Sequence, residues 1–341
     1  MNKRIIICFI CVFAFAISIF SFSAAAFTFS DGDFGFELNS FERTSTLVEY
    51  TGSSQTVNVP TGYSSYPLTA VKKTAFSGNS TAQIINLPTT VTTLEAESFM
   101  DCSSLSMITI SNNITYYGEG LFRNCAALQS ANILSENTKL PNNTFRNCSS
   151  LNNVQLCANI SAIGSNAFSG CISLSELPFI SQINSIGEFA FYNTGLISLT
   201  IPDSLQSIPA YAFGNCSNLV RIDIPKTVTS IDSTAFYGDE NLTLGVWFDS
   251  YAYHYAKDNN IPYVLLDSFI LGDVNMDGYV NINDVTVIQR NLAELEALNE
   301  LKRLAADANC DGDLDISDAT AIQMFIAKYK VPYPIGDLIT Q

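Results

Sequence analysis

Twice near its C-terminus the chain spaces oxygen-bearing side chains as a cation-wrapping loop requires. Asp273-Val-Asn275-Met-Asp277-Gly278-Tyr279-Val280-Asn281-Ile282-Asn283-Asp284 returns 34 residues later as Asp307-Ala-Asn309-Cys-Asp311-Gly312-Asp313-Leu314-Asp315-Ile316-Ser317-Asp318. Each copy has oxygen donors at positions 1, 3, 5, 9 and 12 of a twelve-residue loop, with Gly at 6. That pattern encloses a hard, oxygen-preferring ion such as Ca2+. The Gly permits the sharp turn that a side chain would obstruct.

Loops of this kind need helices to hold them. Val285, Val287, Ile288 and Leu292 have helical apolar spacing after the first loop, and Ala319 to Ile326 repeats it after the second. Ala293 to Leu304, rich in Glu, Leu and Ala, reads as a connecting helix. The unit is therefore loop-helix, connecting helix, loop-helix, without a helix entering the first loop. Asp267-Ser-Phe269-Ile-Leu-Gly before it is a short junction, which restricts the orientation of the two parts. Pro332-Tyr333-Pro334 is expected to fold back on Phe269 as a terminal clasp.

Upstream the chain repeats. Phe76, Phe99, Phe122, Phe145, Phe168, Phe191, Phe213 and Phe236 are spaced by 23 residues, once by 22. Around them recurs a phrase clearest in Ala212-Phe213-Gly-Asn-Cys216-Ser-Asn-Leu219-Val-Arg-Ile222-Asp223-Ile224-Pro225. Ile222 and Ile224 alternate as a short strand does, and the Pro ends that strand by removing a ladder donor. One such coil cannot bury its own apolar residues, but stacked coils can, with capped ends. The expected fold is a solenoid of ~23-residue coils whose short strands stack into a parallel sheet, followed by a small all-α paired-loop module. Pro178 inside one strand and a coil one residue short, with Thr194 in place of Cys, predict local irregularity.

The segments divide as follows. Residues 1–26 are a leader, 27–67 an N-terminal cap with a degenerate first coil, and 68–246 the repeats. Residues 247–266 form an aromatic C-terminal cap, 267–270 a linker, and 271–341 the paired-loop module. The leader has Lys3 and Arg4 before an apolar run, and Ala24-Ala25-Ala26 as a cleavage site, so the protein is secreted and meets the membrane only transiently during export. A net charge of −16 argues against nucleic acid as a partner. Cys102, Cys125, Cys148 and Cys171 keep the 23-residue period, and Cys216 takes the same position later. A strict period fits buried, reduced plugs in a stack better than a disulfide framework.

Within the strands, Asn86, Thr109, Asn132, Gln155, Pro178, Thr200 and Asp223 share a face because they sit between inward apolar residues. This mostly uncharged row is the candidate surface for a protein or carbohydrate ligand. His254 is the only histidine, and no nucleophile-base motif accompanies it. Carboxylates such as Glu95, Glu97 and Glu188 are scattered. The reading is therefore of a binding protein, not an enzyme.

The A-F-x-x-C-x-x-L-x-x-I-x-I-P phrase resembles the BspA-like class of bacterial leucine-rich repeats over roughly 68–266. The paired Asp-terminated loops, each with only an exiting helix, resemble a type I dockerin over about 271–334. The second resemblance implies two Ca2+ ions. Asp273, Asn275, Asp277, Asn281 and Asp284, with the Tyr279 carbonyl, would bind one. Asp307, Asn309, Asp311, Asp315 and Asp318, with the Asp313 carbonyl, would bind the other. Val280 and Leu314 would point inward and join the loops. The resemblance also implies a cohesin partner on a scaffoldin, met by Ile282, Asn283, Gln289 and Arg290 and by Ile316, Ser317, Gln323 and Met324. The family's Ser-Thr pair is absent from both loops. Taken together these features describe a secreted, non-catalytic component of a cellulosome-like assembly. The competing readings are a hydrolase or enzyme inhibitor acting through the concave repeat face, and a surface adhesin whose Ca2+ module only stabilises it.

Overall fold

The computed structural model describes residues 28–340, and the leader expected over 1–26 lies outside them. The array opens with an antiparallel meander, Thr28–Asp31, Phe34–Asn39 and Thr44–Tyr50. Its third strand pairs in parallel with Tyr66–Val71, which starts a stack continued by Thr93–Leu94 and Tyr116–Tyr117. The meander closes the N-terminal end of the array with paired backbone, and the short, exposed strand Thr28–Asp31 is its outer edge among the described residues. Among the described residues no helix is long and apolar enough to cross a membrane.

The period of 23 becomes columns. The phenylalanine rings from Phe76 to Phe236 stack with centroids 5.3–6.1 Å apart. Seven of the eight, Phe76 to Phe213, are essentially inaccessible to solvent. Full burial of each ring contributes about 2–3 kcal/mol against an exposed reference. The cysteine column is a hydrogen-bond ladder. Cys102, Cys125, Cys148 and Cys171 each donate from Sγ to the carbonyl of a Phe one coil back, at 3.1 Å. Cys216 does so to Phe191 at 3.2 Å. Burial pushes the Cys148 and Cys171 thiols far up, and that of Cys216 to about 11, so they stay protonated and inert. All seven cysteines among the described residues are free. Thr194 replaces the thiol by bonding the carbonyl of Phe191 within its own coil at 2.9 Å.

The coils from Phe99 to Phe213 also turn twice through left-handed backbone, two residues before the Phe and two after. Glu97 and Asp101 flank Phe99, Gly120 and Asn124 flank Phe122, and Asn143 and Asn147 flank Phe145. This aims the N–H groups of the turn at the following coil. Glu97, Phe99 and Asp101 donate to the carbonyls of Glu119, Leu121 and Arg123 at 2.8–3.2 Å. Asn124 Nδ2 bonds Asp101 at 2.8 Å and Asn147 Nδ2 bonds Asn124 at 2.9 Å, so a carboxamide ladder runs along the same edge. Asn and Asp tolerate this backbone region better than other side chains do.

The irregularity expected at Pro178 is an interruption of the sheet. Thr56–Asn58, Ile84–Asn86, Met107–Ile110, Ser130–Ile133 and Asn153–Leu156 form one parallel sheet. Ser198–Thr200, Arg221–Asp223, Thr243–Val246 and Tyr263–Leu265 form another. In the coil between them residues 176–179, where a strand would be, form none, and a 3-10 turn, Ile180–Gln182, follows. Pro178 has no N–H to give the ladder, and Phe179 instead stacks on Phe168 at 5.5 Å. The Phe column continues across the gap, with Phe168 and Phe191 5.5 Å apart.

The C-terminal end of the array is closed by helix α1, Tyr251–Asp258, capped by Ser250, and by the strand Tyr263–Leu265. Three helices follow: α2, Ile282–Leu292, α3, Glu300–Ala306, and α4, Ile316–Ile326. The connecting helix is shorter than the run from Ala293 to Leu304 suggests. Glu294 is left-handed, Asn291 Nδ2 bonds the Glu296 carbonyl at 2.7 Å, and Asn299 caps α3 only at its own position. The terminal segment folds back on the core that contains Phe269, and a further strand extends the clasp. Leu338–Ile339 pairs antiparallel with Phe269–Ile270, while Tyr333 packs partly buried on the module core.

Candidate functional site

The two loops share one hydrogen-bond frame. In the first, Asp273 accepts from the N–H groups of Asp277 at 3.1 Å and Gly278 at 2.8 Å. Asn275 accepts from Asp277, Asp277 from Tyr279, and Asn281 from Asn283, all at 2.9–3.0 Å. Asp284 closes the loop by accepting from Asn275 at 3.0 Å and Asn281 at 2.9 Å. The second loop repeats these bonds. Asp307 accepts from Asp311 and Gly312, Asn309 from Asp311, and Asp311 from Asp313. Asp315 then accepts from Ser317, and Asp318 from Asn309 and Asp315. Both loops take positive φ at positions 4 and 6, Met276 with Gly278 and Cys310 with Gly312. The ninth and twelfth residues also form capping boxes on α2 and α4, so each loop is continuous with its exiting helix.

The electrostatics of the frame are one-sided. Asp284 and Asp318 are fully buried and Asp273 is 3% exposed, yet none of the ion pairs among the described residues involves them. Burial raises the Asp284 carboxyl above its ordinary range, and the Asp273 charge adds to this. Burial does the same to Asp318, with the charges of Asp307 and Asp311 adding to it. No three His, Cys, Asp or Glu side chains among the described residues make a compact metal cluster by themselves. The donor set also draws on the carboxamides of Asn275, Asn281 and Asn309 and on main-chain oxygens. Hard oxygens in excess of positive charge fit a divalent, oxygen-seeking cation.

Val280 and Leu314, expected to join the loops, are half-buried against the module core, and no strand pairing links them among the described residues. That core is made by Val285 and Ile288 of α2 with Ala319, Ala321 and Ile322 of α4. The residues expected to meet a partner lie on the opposite side of these helices. Ile282 is 58% and Ile316 60% exposed, and Asn283, Gln289, Arg290, Ser317, Gln323 and Met324 are exposed with them.

The description "BspA type Leucine rich repeat region" matches residues 50–152 and 138–250 in six copies. The chain belongs to this BspA-type leucine-rich repeat family. The description "Dockerin type I domain" matches residues 271–327, so this repeat protein carries a dockerin over the loops and helices described above. Type I dockerin domains bind Ca2+, and a dockerin implies a cohesin partner. Together the two regions point to an extracellular protein of cellulosome or surface type. No curated protein matches the chain. Among solved structures it is similar to a leucine-rich repeat protein from Eubacterium ventriosum, at 26% identity over 63% of this chain and 50% of that one, TM-score 0.45. The chain thus spans half the length of that relative. A leucine rich cell surface protein from Faecalibacterium prausnitzii is 18% identical over 71% of this chain and 95% of its own, TM-score 0.42. The T. pallidum leucine rich repeat protein is 19% identical over 69% of this chain and 97% of its own, TM-score 0.46.

In this leucine-rich repeat protein the strand row is divided by the sheet interruption. Asn132 lies beside Thr109 and Gln155, and Asn86 beside Asn58, with a 2.8 Å side-chain bond between the last two. Thr200 and Asp223 pair in the second sheet. Between the two stretches Glu176, Thr200, Arg221 and Asp223 line an open cleft of about 370 Å³. Arg221 is already bound to Asp223 at 2.6 Å. His254 Nε2 lies 2.9 Å from the Asp249 carboxylate on the surface.

One contact of functional weight has little trace in the residue pattern. The Glu300 carboxylate of α3 accepts from the hydroxyls of Tyr253 at 2.8 Å and Tyr263 at 2.9 Å, with Lys257 3.8 Å away. Leu301 and Leu304 pack on both the repeat core and the module core. The tyrosine-rich cap could have hinted at a polar partner, but nothing in its spacing singles out Glu300.

Proposed function

We propose that this protein is a secreted, non-catalytic binding component whose dockerin attaches it through Ca2+-dependent loops to a cohesin of a scaffoldin. The reading rests above all on the two matched loop frames, each with buried carboxylates lacking a cationic side chain. Two Ca2+ ions would be held by the side-chain oxygens of Asp273, Asn275, Asp277, Asn281 and Asp284 and of Asp307, Asn309, Asp311, Asp315 and Asp318. The carbonyls of Tyr279 and Asp313 would complete the sets. When bound, the ions neutralise carboxylates that otherwise repel one another, so ion binding and module folding are coupled.

The protein's own residues then supply the docking surface. Ile282 with Asn283 and Ile316 with Ser317 stand at the head of their helices, and Gln289, Arg290, Gln323 and Met324 extend each face. The dockerin raises the local concentration of the repeats beside other assembly members. The repeats offer a protein or carbohydrate ligand the polar strand row from Asn86 through Thr109, Asn132 and Gln155, and beyond the gap Thr200 and Asp223.

Cohesin binding by the intact chain tests this. Tight binding in Ca2+ should vanish in excess chelator and fall sharply in Ile282→Asp/Ile316→Asp, which leaves the loop donors untouched. Failure to bind any cohesin of the source organism in Ca2+ would refute the attachment role.

A further inference from the structure

We propose that Phe189, Tyr192, Tyr211 and Tyr237 form a stacking site for an uncharged pyranose polysaccharide on the turn edge of the repeat array. The proposal rests on the binding-module reading above and gives it a ligand class. Phe189 and Tyr211 occupy the left-handed position two residues before the stacked Phe, at φ 57° and 53°. In three earlier coils the same position holds Gly120, Asn143 and Asn166, residue types suited to that backbone. A bulky aromatic there is strained, and strain of this kind collects at ligand-contacting positions.

The rings form one group. Phe189 and Tyr211 stack with centroids 4.7 Å apart and planes at 12°. Tyr192 meets both edge-on, and Tyr237 meets Tyr211 edge-on at 5.7 Å. A Cβ at Gly214, between Tyr192 and Tyr237 in their column, would come within 3.2 Å of the Tyr237 carbonyl oxygen and 3.4 Å of the Tyr192 ring. The group is not sealed into the core, since Tyr237 is 61% exposed and the other three rings are half-buried.

Its surroundings select the ligand. Between residues 186 and 240 the only basic side chains are Arg221 and Lys226, and both pair elsewhere, with Asp223 and Asp267. An anionic polymer therefore finds no counter-charge. Asn215 Nδ2 donates to the Tyr192 hydroxyl, which leaves carboxamide and phenol groups around the ring faces. The neighbouring exposed acids Glu188 and Glu240 add only negative charge, and apolar rings bordered by the Asn215 carboxamide and the Tyr192 phenol complement a sugar ring, which has a C–H face and a hydroxyl rim. Four rings are a small area beside the ~800 Å² that each partner contributes to a standard protein interface.

The test is native electrophoresis of the full chain, with Ca2+, through gels containing hydroxyethylcellulose, mixed-linkage β-glucan or xyloglucan, with polygalacturonate as an anionic control. At least one neutral polymer should retard the protein and polygalacturonate should not. Phe189→Asn/Tyr211→Asn should weaken retardation about tenfold or more with an unchanged or higher Tm, because Asn fits the left-handed backbone. Tyr237→Ala, at an exposed ring, should weaken it less. No retardation by any neutral polymer would overturn the proposal, as would capture of poly-lysine in their place. Retardation retained in both variants would remove this site while leaving the repeats as a binding module, and cohesin binding in the same samples reports separately on the dockerin.

Discussion

The repeats and the dockerin are stabilised by opposite means. A coil of the array is held mainly by apolar and uncharged columns, in which Phe stacks on Phe, Cys donates to a Phe carbonyl and Asn bonds Asn one coil away. The dockerin concentrates carboxylates in two loops and buries three of them without a positive side chain. The first design needs only more of itself, whereas the second needs something the chain does not contain. Their meeting point belongs to both, because Leu301 and Leu304 pack on each core and Glu300 reaches the cap tyrosines.

That contrast can be broken most directly by chelation. Removing divalent ions should abolish the helical circular dichroism contributed by α2, α3 and α4 and leave the strand signal of the repeats in place. If both signals disappear together, the two parts are one cooperative unit and the contrast fails. Next in size is Phe145→Ala, in the middle of the ring column. It should cost about 3–5 kcal/mol of repeat stability, read by denaturant unfolding, while Ca2+-dependent cohesin binding is unchanged. Loss of cohesin binding at the same denaturant concentration as the repeats would count against independence.

A smaller effect concerns pH within the repeats. Burial pushes the Asp239 carboxyl up to about 7, and its Oδ2 has no partner although Oδ1 accepts from the Cys216 N–H at 2.6 Å. In the unfolded chain the group returns to about 4. Its protonated form therefore contributes stability that is complete below about 4 and is lost as pH rises to about 7. The Tm of the repeats should carry this decline, and Asp239→Asn should flatten it and be the more stable protein at pH 8. Equal slopes in the two proteins would remove Asp239 from the account. The smallest change expected is from Glu300→Ala. Tm should barely move, but small-angle scattering should show a wider range of orientations between repeats and dockerin. An unaltered scattering curve would mean that Leu301 and Leu304 suffice.

The columns were legible because a period of 23 forces like residues onto like. Phe99, Cys125 and Leu219 needed only to be counted to be placed in the core. The turns of the two loops were legible for a related reason: Gly278 and Gly312 mark sharp bends set by local backbone geometry, within a dozen residues. What escaped depends on long-range partners or on backbone conformation. Asn at 124, 143, 147 and 166 was a visible signal for the two left-handed turns per coil, and the aromatic exceptions at 189 and 211 stand out only against it. Pro178 announced a disturbance, but how far it spread depended on Phe179 finding a place against Phe168. The partnership of Glu300 with Tyr253 and Tyr263 spans 47 and 37 residues with no pattern to mark it.

The turn column has a consequence for the array as a whole. From Phe99 to Phe122 to Phe145, turn N–H groups point toward the C-terminal end and the carbonyls that receive them point back. Peptide units of ~3.5 D aligned in this way add rather than cancel. The edge of the solenoid is thus electrically polarised along its length, negative toward the N-terminal meander and positive toward α1. Every added coil lengthens this dipole without altering its direction.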